Sequence, residues 1–162
     1  FELKLVDVRG TYPIVVFELL NEDWKNTKPE ASLRESYLAS LEVAVEVMNS
    51  AGVAHMDLRP ANVMWRCVGD TVQIRIIDFE DALKFGTLIR VNETLRNDCR
   101  YPFPHLGVVQ VSSVHNSWFL AALASWVKEE TLDDGFSTHM QTHHSALLAE
   151  MRTDLMECYR EG

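Results

Sequence analysis

Val53-Ala54-His55-Met56-Asp57-Leu58-Arg59-Pro60-Ala61-Asn62, followed sixteen residues after Asn62 by Asp78 in Ile76-Ile77-Asp78-Phe79-Glu80, is the stretch on which the reading of this chain turns. An aspartate leads a tight loop, an amide oxygen follows five residues later, and a second aspartate ends the next strand. That pattern sets three oxygen ligands along one edge of a small sheet. Hard cations such as Mg²⁺ prefer such oxygens, usually together with substrate phosphates. Arg59 adds a fixed positive charge where a transferred phosphoryl group would gather negative charge.

The flanking elements follow from local pattern. Upstream, Ser32-Leu33-Arg34-Glu35 has the form of a capping box, so a helix is expected to begin there. Leu33, Tyr37, Leu41, Ala44 and Met48 mark one stripe of that helix, and Gly52 can supply the left-handed residue that ends it. Downstream, Asn62-Val63-Met64-Trp65, the turn Val68-Gly69-Asp70 and the alternating run 72–77 predict a β-hairpin. Residues 1–8 and 12–20 read as two strands around the turn pair Arg9-Gly10, and residues 21–29 as a connector holding Trp24. Residues 79–115 carry no period, which is long for a structureless loop and argues for a functional one. Residues 118–127 are apolar nearly all round, as a buried helix is, and Ser137 opens a last amphipathic helix with Met140, His144, Leu147, Met151 and Leu155 on one side.

The 162 residues are enough for a core without staples, and the net charge of −9 with no basic cluster argues against nucleic-acid binding. Cys67, Cys99 and Cys158 are odd in number and form no C-x-x-C pair, which fits packed or idle thiols in a reducing, intracellular compartment. The longest apolar run, 118–127, is too short to span a bilayer, where about 20 residues are needed. The chain opens at Phe1 in a strand-like run without an initiator Met or a signal-type leader, so it is expected to be an excised piece.

The central motifs resemble the protein-kinase-like superfamily. The catalytic loop H-R-D-L-x-x-x-N is met by His55, Asp57, Leu58 and Asn62, and the D-F-G metal motif by Asp78 and Phe79. The resemblance implies that Asp57 orients and deprotonates the acceptor hydroxyl, that Asn62 and Asp78 hold Mg²⁺, and that Arg59 steadies the γ-phosphate of ATP. His55 and Phe79 would stack behind the site. Val16-Phe17-Glu18-Leu19-Leu20 looks like the hinge that meets adenine, with Phe17 as gatekeeper, Glu18 and Leu20 as backbone partners and Met64 as the pocket floor. Asn116-Ser117-Trp118 looks like the head of the long buried helix, with an amide where an aspartate is usual.

The implied architecture is α+β and mainly helical: a kinase-like C-terminal lobe with hinge strand, capped helix, catalytic-loop hairpin and buried helix. Residues 1–20 would be the end of the small lobe and the hinge, residues 21–162 a partial large lobe, and most of the N-terminal lobe would be missing. The implied partners are a nucleotide and a hydroxyl-bearing substrate, protein or small molecule, with a Ser/Thr-type protein acceptor favoured. The fragment itself is not expected to turn over. Departures from the pattern keep two other readings open. Met56 stands in place of the loop arginine that receives an activating phosphate, Glu80 in place of the D-F-G glycine, and no A-P-E signature closes the segment. A pseudokinase or docking module is one alternative, and a small-molecule kinase of the same superfamily is the other. His139 and His143 form an i, i+4 pair that could bind metal, yet with no Cys or Glu in register they read as a solvated helix face.

Overall fold

The computed structural model describes residues 4–6, 14–16, 20–98, 101–103, 105–129 and 135–160. Its strands pair only in antiparallel fashion, in small separate sheets, and the helices carry most of the packing. This is an α+β arrangement.

Strands β1 (Lys4–Val6) and β2 (Ile14–Val16) pair in the register Lys4↔Val16 to Val6↔Ile14. The turn at Arg9-Gly10, and with it Phe17, Glu18 and Cys99, lies outside the described residues. Helix α1 (Arg34–Ser50) is preceded by a 3₁₀ turn, Ala31–Leu33. The expected capping box does not form: Ser32 sits inside that turn, which closes through Leu33 N donating to Glu30 O at 2.9 Å, and the helix N-cap makes no side-chain bond. The buried stripe of α1 is Tyr37, Leu41, Val45 and Met48, with Val45 taking the core place expected for Ala44. After the helix, Gly52 has φ +68°, a left-handed conformation open to glycine at no steric cost.

β3 (Val53–Ala54) pairs with β6 (Leu83–Lys84), and between them the hairpin of β4 (Val63–Val68) and β5 (Thr71–Ile76) turns at Gly69, φ +60°. The two residues Gly69 and Asp70 between paired Val68 and Thr71 make the tight connection expected of a hairpin. The outer edge of β5 is answered by helix α1: Ser36 Oγ accepts from Val72 N at 3.0 Å and Ser40 Oγ donates to Val72 O at 2.7 Å. A sheet edge is thereby covered instead of left as a template for pairing.

Residues 79–115 are not the structureless loop their lack of period suggests. They supply β6, β7 (Leu88–Val91), α2 (Glu93–Asn97) and β8 (Gly107–Gln110). β8 pairs with β7 on one side and, on the other, with β9 (Tyr159–Arg160) near the C-terminus. Strands of two to four residues leave too little alternation to read, and their partners lie far along the chain.

Helix α3 (Ser113–Lys128) buries Trp118, Phe119, Ala122, Leu123, Trp126 and Val127. It begins with a true capping box, Ser112 with His115. The last amphipathic run is two helices, α4 (Phe136–Glu150) and α5 (Arg152–Glu157), parted at Met151. α1, the β4–β5 hairpin and α3 close around the main core, and α4 and α5 add Met140, Leu147 and Leu155 to it. A fully buried side chain such as Leu41 or Leu123 contributes about 1.5–3 kcal/mol here. A second, smaller core of Ala54, Met56, Val91, Phe103, Val109 and Val111 lies under β3 and the β7–β8 pair. The loop from His55 to Asn62 runs between these two cores. No helix among the described residues is long and apolar enough to cross a membrane.

Candidate active site

The loop after β3 is held from three directions. From α3, the fully buried Asn116 accepts from His55 N at 3.1 Å through Oδ1, while its Nδ2 donates to Val53 O and to Asn49 Oδ1, both at 2.8 Å. An amide can accept and donate at once, so Asn116 ties the loop both to β3 and to the last turn of α1. From just past the end of β5, Ile77 donates its N–H to Asn62 O at 3.0 Å and its carbonyl accepts from the His55 ring at 2.9 Å. From within, the Asp57 N–H donates to His55 Nδ1 at 3.3 Å. Nδ1 is therefore the lone-pair nitrogen and Nε2 carries the proton that goes to Ile77 O. Burial pushes the His55 pKa down, against the pull of the Ile77 carbonyl and of the Asp57, Asp78 and Asp81 charges, which agrees with a neutral ring.

This scaffold presents Asp57 half-buried, its side chain 13% exposed. Oδ2 receives Arg59 Nε at 3.0 Å and Asn62 Nδ2 at 3.1 Å, and the same Nδ2 also donates to Asp57 O at 2.9 Å. With Nδ2 so engaged, Asn62 Oδ1 has no hydrogen-bond partner among the described residues. Asn62 as a whole is 4% exposed. Asp57, Arg59 and Asn62 thus form one connected group. The guanidinium of Arg59 is engaged by Asp57 and also borders a hollow of about 320 Å³ shared with Phe136 and Ser137 at the start of α4.

Asp78 follows Ile77 and is exposed. Its φ is +61°, and Met56, next to Asp57, has φ +65°. Left-handed backbone at two residues other than glycine is costly, about 1–2 kcal/mol each; one precedes Asp57 and the other is Asp78 itself. Phe79 lies against His55 with ring centroids 4.7 Å apart. Met56, where the resemblance has an arginine, is 5% exposed and packed in the second core with Val91 and Phe103, so no cation faces the segment after Asp78 from that position.

A groove of about 1310 Å³ runs between α1 and β5, with Leu20, Asp78, Phe79 and Glu80 among its lining residues and Val43 and Val47 along its helix wall. Leu20 and Asp78 meet this groove. Asp57, Arg59, Asn62 and Met64 are not in its lining; Met64 lies half-buried on β4, opposite Arg75. Asn49 and the Ile77 carbonyl are site-forming groups with no motif of their own. A polar residue in the last turn of α1, next to the buried stripe position Met48, is the one cue for Asn49.

Comparison with known proteins points to kinases at a coarse level. The model of the lipopolysaccharide kinase (Kdo/WaaP) family matches residues 15–86, a span that takes in α1, the His55 to Asn62 loop, the β4–β5 hairpin and Asp78. A probable myosin light chain kinase of Dictyostelium discoideum is 38% identical over 58 residues, 36% of this chain and 16% of that protein. The chain spans only that small share of its relative's length. Both matches are to kinases, and the chain is kinase-like in that broad sense.

Proposed function

We propose that this chain carries the catalytic loop of an ATP-dependent kinase whose acceptor is a hydroxyl on a sugar-containing or other small molecule. The carrying observation is the Asp57 carboxylate, held on Oδ2 by both Arg59 and Asn62 within a loop pinned by Asn116. A base fixed in this way loses little freedom when it meets the acceptor hydroxyl.

Asp57 orients that hydroxyl and takes its proton. Arg59 offers positive charge beside it. Asn62 Oδ1 and the Asp78 carboxylate are the groups that would hold Mg²⁺: one is an amide oxygen with no partner among the described residues, the other an exposed carboxylate, and both are the hard oxygens that ion takes. Bound Mg²⁺ neutralises charge on the transferred phosphates. Phe17, Glu18, Leu20 and Met64 are proposed for the nucleotide, and of these Leu20 lines the groove that Asp78 also borders.

The acceptor class rests on the family match, together with Met56 and Glu80, which depart from the protein-kinase form of the two motifs. A Ser/Thr-type protein acceptor is the second reading, favoured by the myosin light chain kinase relative. The natural full-length polypeptide, given γ-labelled Mg-ATP with a core oligosaccharide in one arm and a basic protein in the other, separates them. Label on the saccharide, absent in Asp57→Asn, is the expected result. Label on the protein alone selects the second reading, and no transfer to any acceptor, with no nucleotide binding, leaves a non-catalytic module.

A further inference from the structure

The buried His139 and its helical neighbour His143 converge with Glu129 at a place remote in sequence from the acidic loop. His139 and His143 stand one turn apart on α4, with rings stacked at 4.4 Å between centroids, and Glu129 is the C-cap residue of α3. His139 Nδ1 is 2.8 Å from Glu129 Oε2, and His143 Nε2 is 2.6 Å from Oε1. One ligand atom from each residue lies within 4.8 Å of the other two. The expectation of a solvated face is corrected here: His139 is 2% exposed, and its carboxylate partner comes from another helix, which no register along α4 can reveal.

We propose that Glu129, His139 and His143 bind a divalent transition-metal ion of the zinc class. The first argument is the state of His139. Its Nδ1 lies 2.8 Å from Glu129 Oε2, and its Nε2 has no hydrogen-bond partner among the described residues. The ring is buried with its Nδ1 turned to the Glu129 carboxylate, the placement in which an imidazole lone pair and a carboxylate oxygen can share one cation. The second is the ligand set. Two imidazoles and one carboxylate, with a fourth position open to water, suit borderline ions such as Zn²⁺ or Co²⁺, whereas Mg²⁺ and Ca²⁺ demand oxygens. The third is the location: the C-terminal end of a 16-residue helix presents carbonyl groups and negative partial charge to a cation. The ion ties the end of the buried helix α3 to α4, acting as a clamp independent of phosphotransfer.

The probes are Zn²⁺ and Co²⁺ salts titrated into the 162-residue chain. The expected result is one equivalent bound with a dissociation constant of about 1 μM or tighter, a raised melting temperature, and the intense visible bands of four-coordinate Co²⁺. His143→Ala and Glu129→Gln, at half-exposed positions, should each weaken binding about tenfold or more with far-UV circular dichroism unchanged, while the exposed His105→Ala should leave it as it is. Absence of saturable binding, or the weak bands of six-coordinate Co²⁺, overturns the proposal. So does an affinity unaltered in both ligand variants, which would mark adventitious histidine binding. The Co²⁺ spectrum of the unmodified chain decides the matter even if a variant fails to fold.

Discussion

Asn116→Ala removes a fully buried amide that serves three partners: His55 N, Val53 O and Asn49 Oδ1. Asn49 is half-buried and can turn its amide to water, so its loss is small. The His55 N–H and the Val53 carbonyl stay where they are, and each buried polar group left without a partner costs about 1–3 kcal/mol. Two such groups give a destabilisation of about 4 kcal/mol, well above the 1 kcal/mol typical of point substitutions. With a urea m-value of about 2 kcal/mol/M for a chain of this size, the unfolding midpoint falls by about 2 M. Amide exchange at His55 should accelerate in step, because its acceptor is gone. Asn49→Ala alone should cost about 1 kcal/mol, and adding it to Asn116→Ala should cost less than that, since the shared bond is already lost. A loss below about 1 kcal/mol in Asn116→Ala, with unchanged exchange at His55, would refute the view that α3 pins the loop through this residue.

Acid sensitivity is expected from His55 and His115. Burial, the first cause in both, lowers their pKa values below the ordinary 6.5, the Ile77 and Ser112 backbone contacts opposing it. The unfolded chain therefore takes up these protons first as pH falls. Stability is full above about pH 6.5 and is lost as pH drops through the folded-state values, so the melting temperature should fall between pH 7 and pH 5 and fall less in His115→Gln. A melting temperature flat over that range contradicts the assignment of two neutral buried rings. At Asp78, where φ is +61°, Asp78→Gly should be about 1 kcal/mol more stable than Asp78→Ala by urea unfolding, since only glycine relaxes there, and both should be inactive. Equal stability of the two variants would show that the left-handed backbone at Asp78 carries no strain.

Helix α1, the β4–β5 hairpin and α3 were legible because each announces itself locally: the Tyr37, Leu41 and Met48 stripe, the Gly69-Asp70 turn between alternating runs, the apolar stretch from Trp118. The order His55, Asp57, Asn62, Asp78 was legible in the same way, and the fold gathers Asp57, Asn62 and His55 into one hydrogen-bonded loop with Phe79 against the ring. What escaped the sequence depends on partners far along the chain. The Ser32 box lost to a 3₁₀ turn closed by a backbone bond from Leu33, a competition that side-chain identity does not reveal. β7 and β8 are four residues each, and the second partner of β8, the two-residue β9, lies some fifty residues after it. Asn116 finds Asn49 across 67 positions, and Glu129 meets His139 only because α4 folds back on the end of α3.

Phosphoryl transfer by the natural full-length polypeptide, read as γ-phosphate loss from Mg-ATP in the presence of the accepted hydroxyl substrate, decides whether Asp57 is the base of a kinase. Turnover is expected in the unmodified protein, with a fall of about 10³-fold or more in Asp57→Asn and Mg-nucleotide binding retained because Asn62 and Asp78 remain. Turnover undiminished by Asp57→Asn would contradict that role.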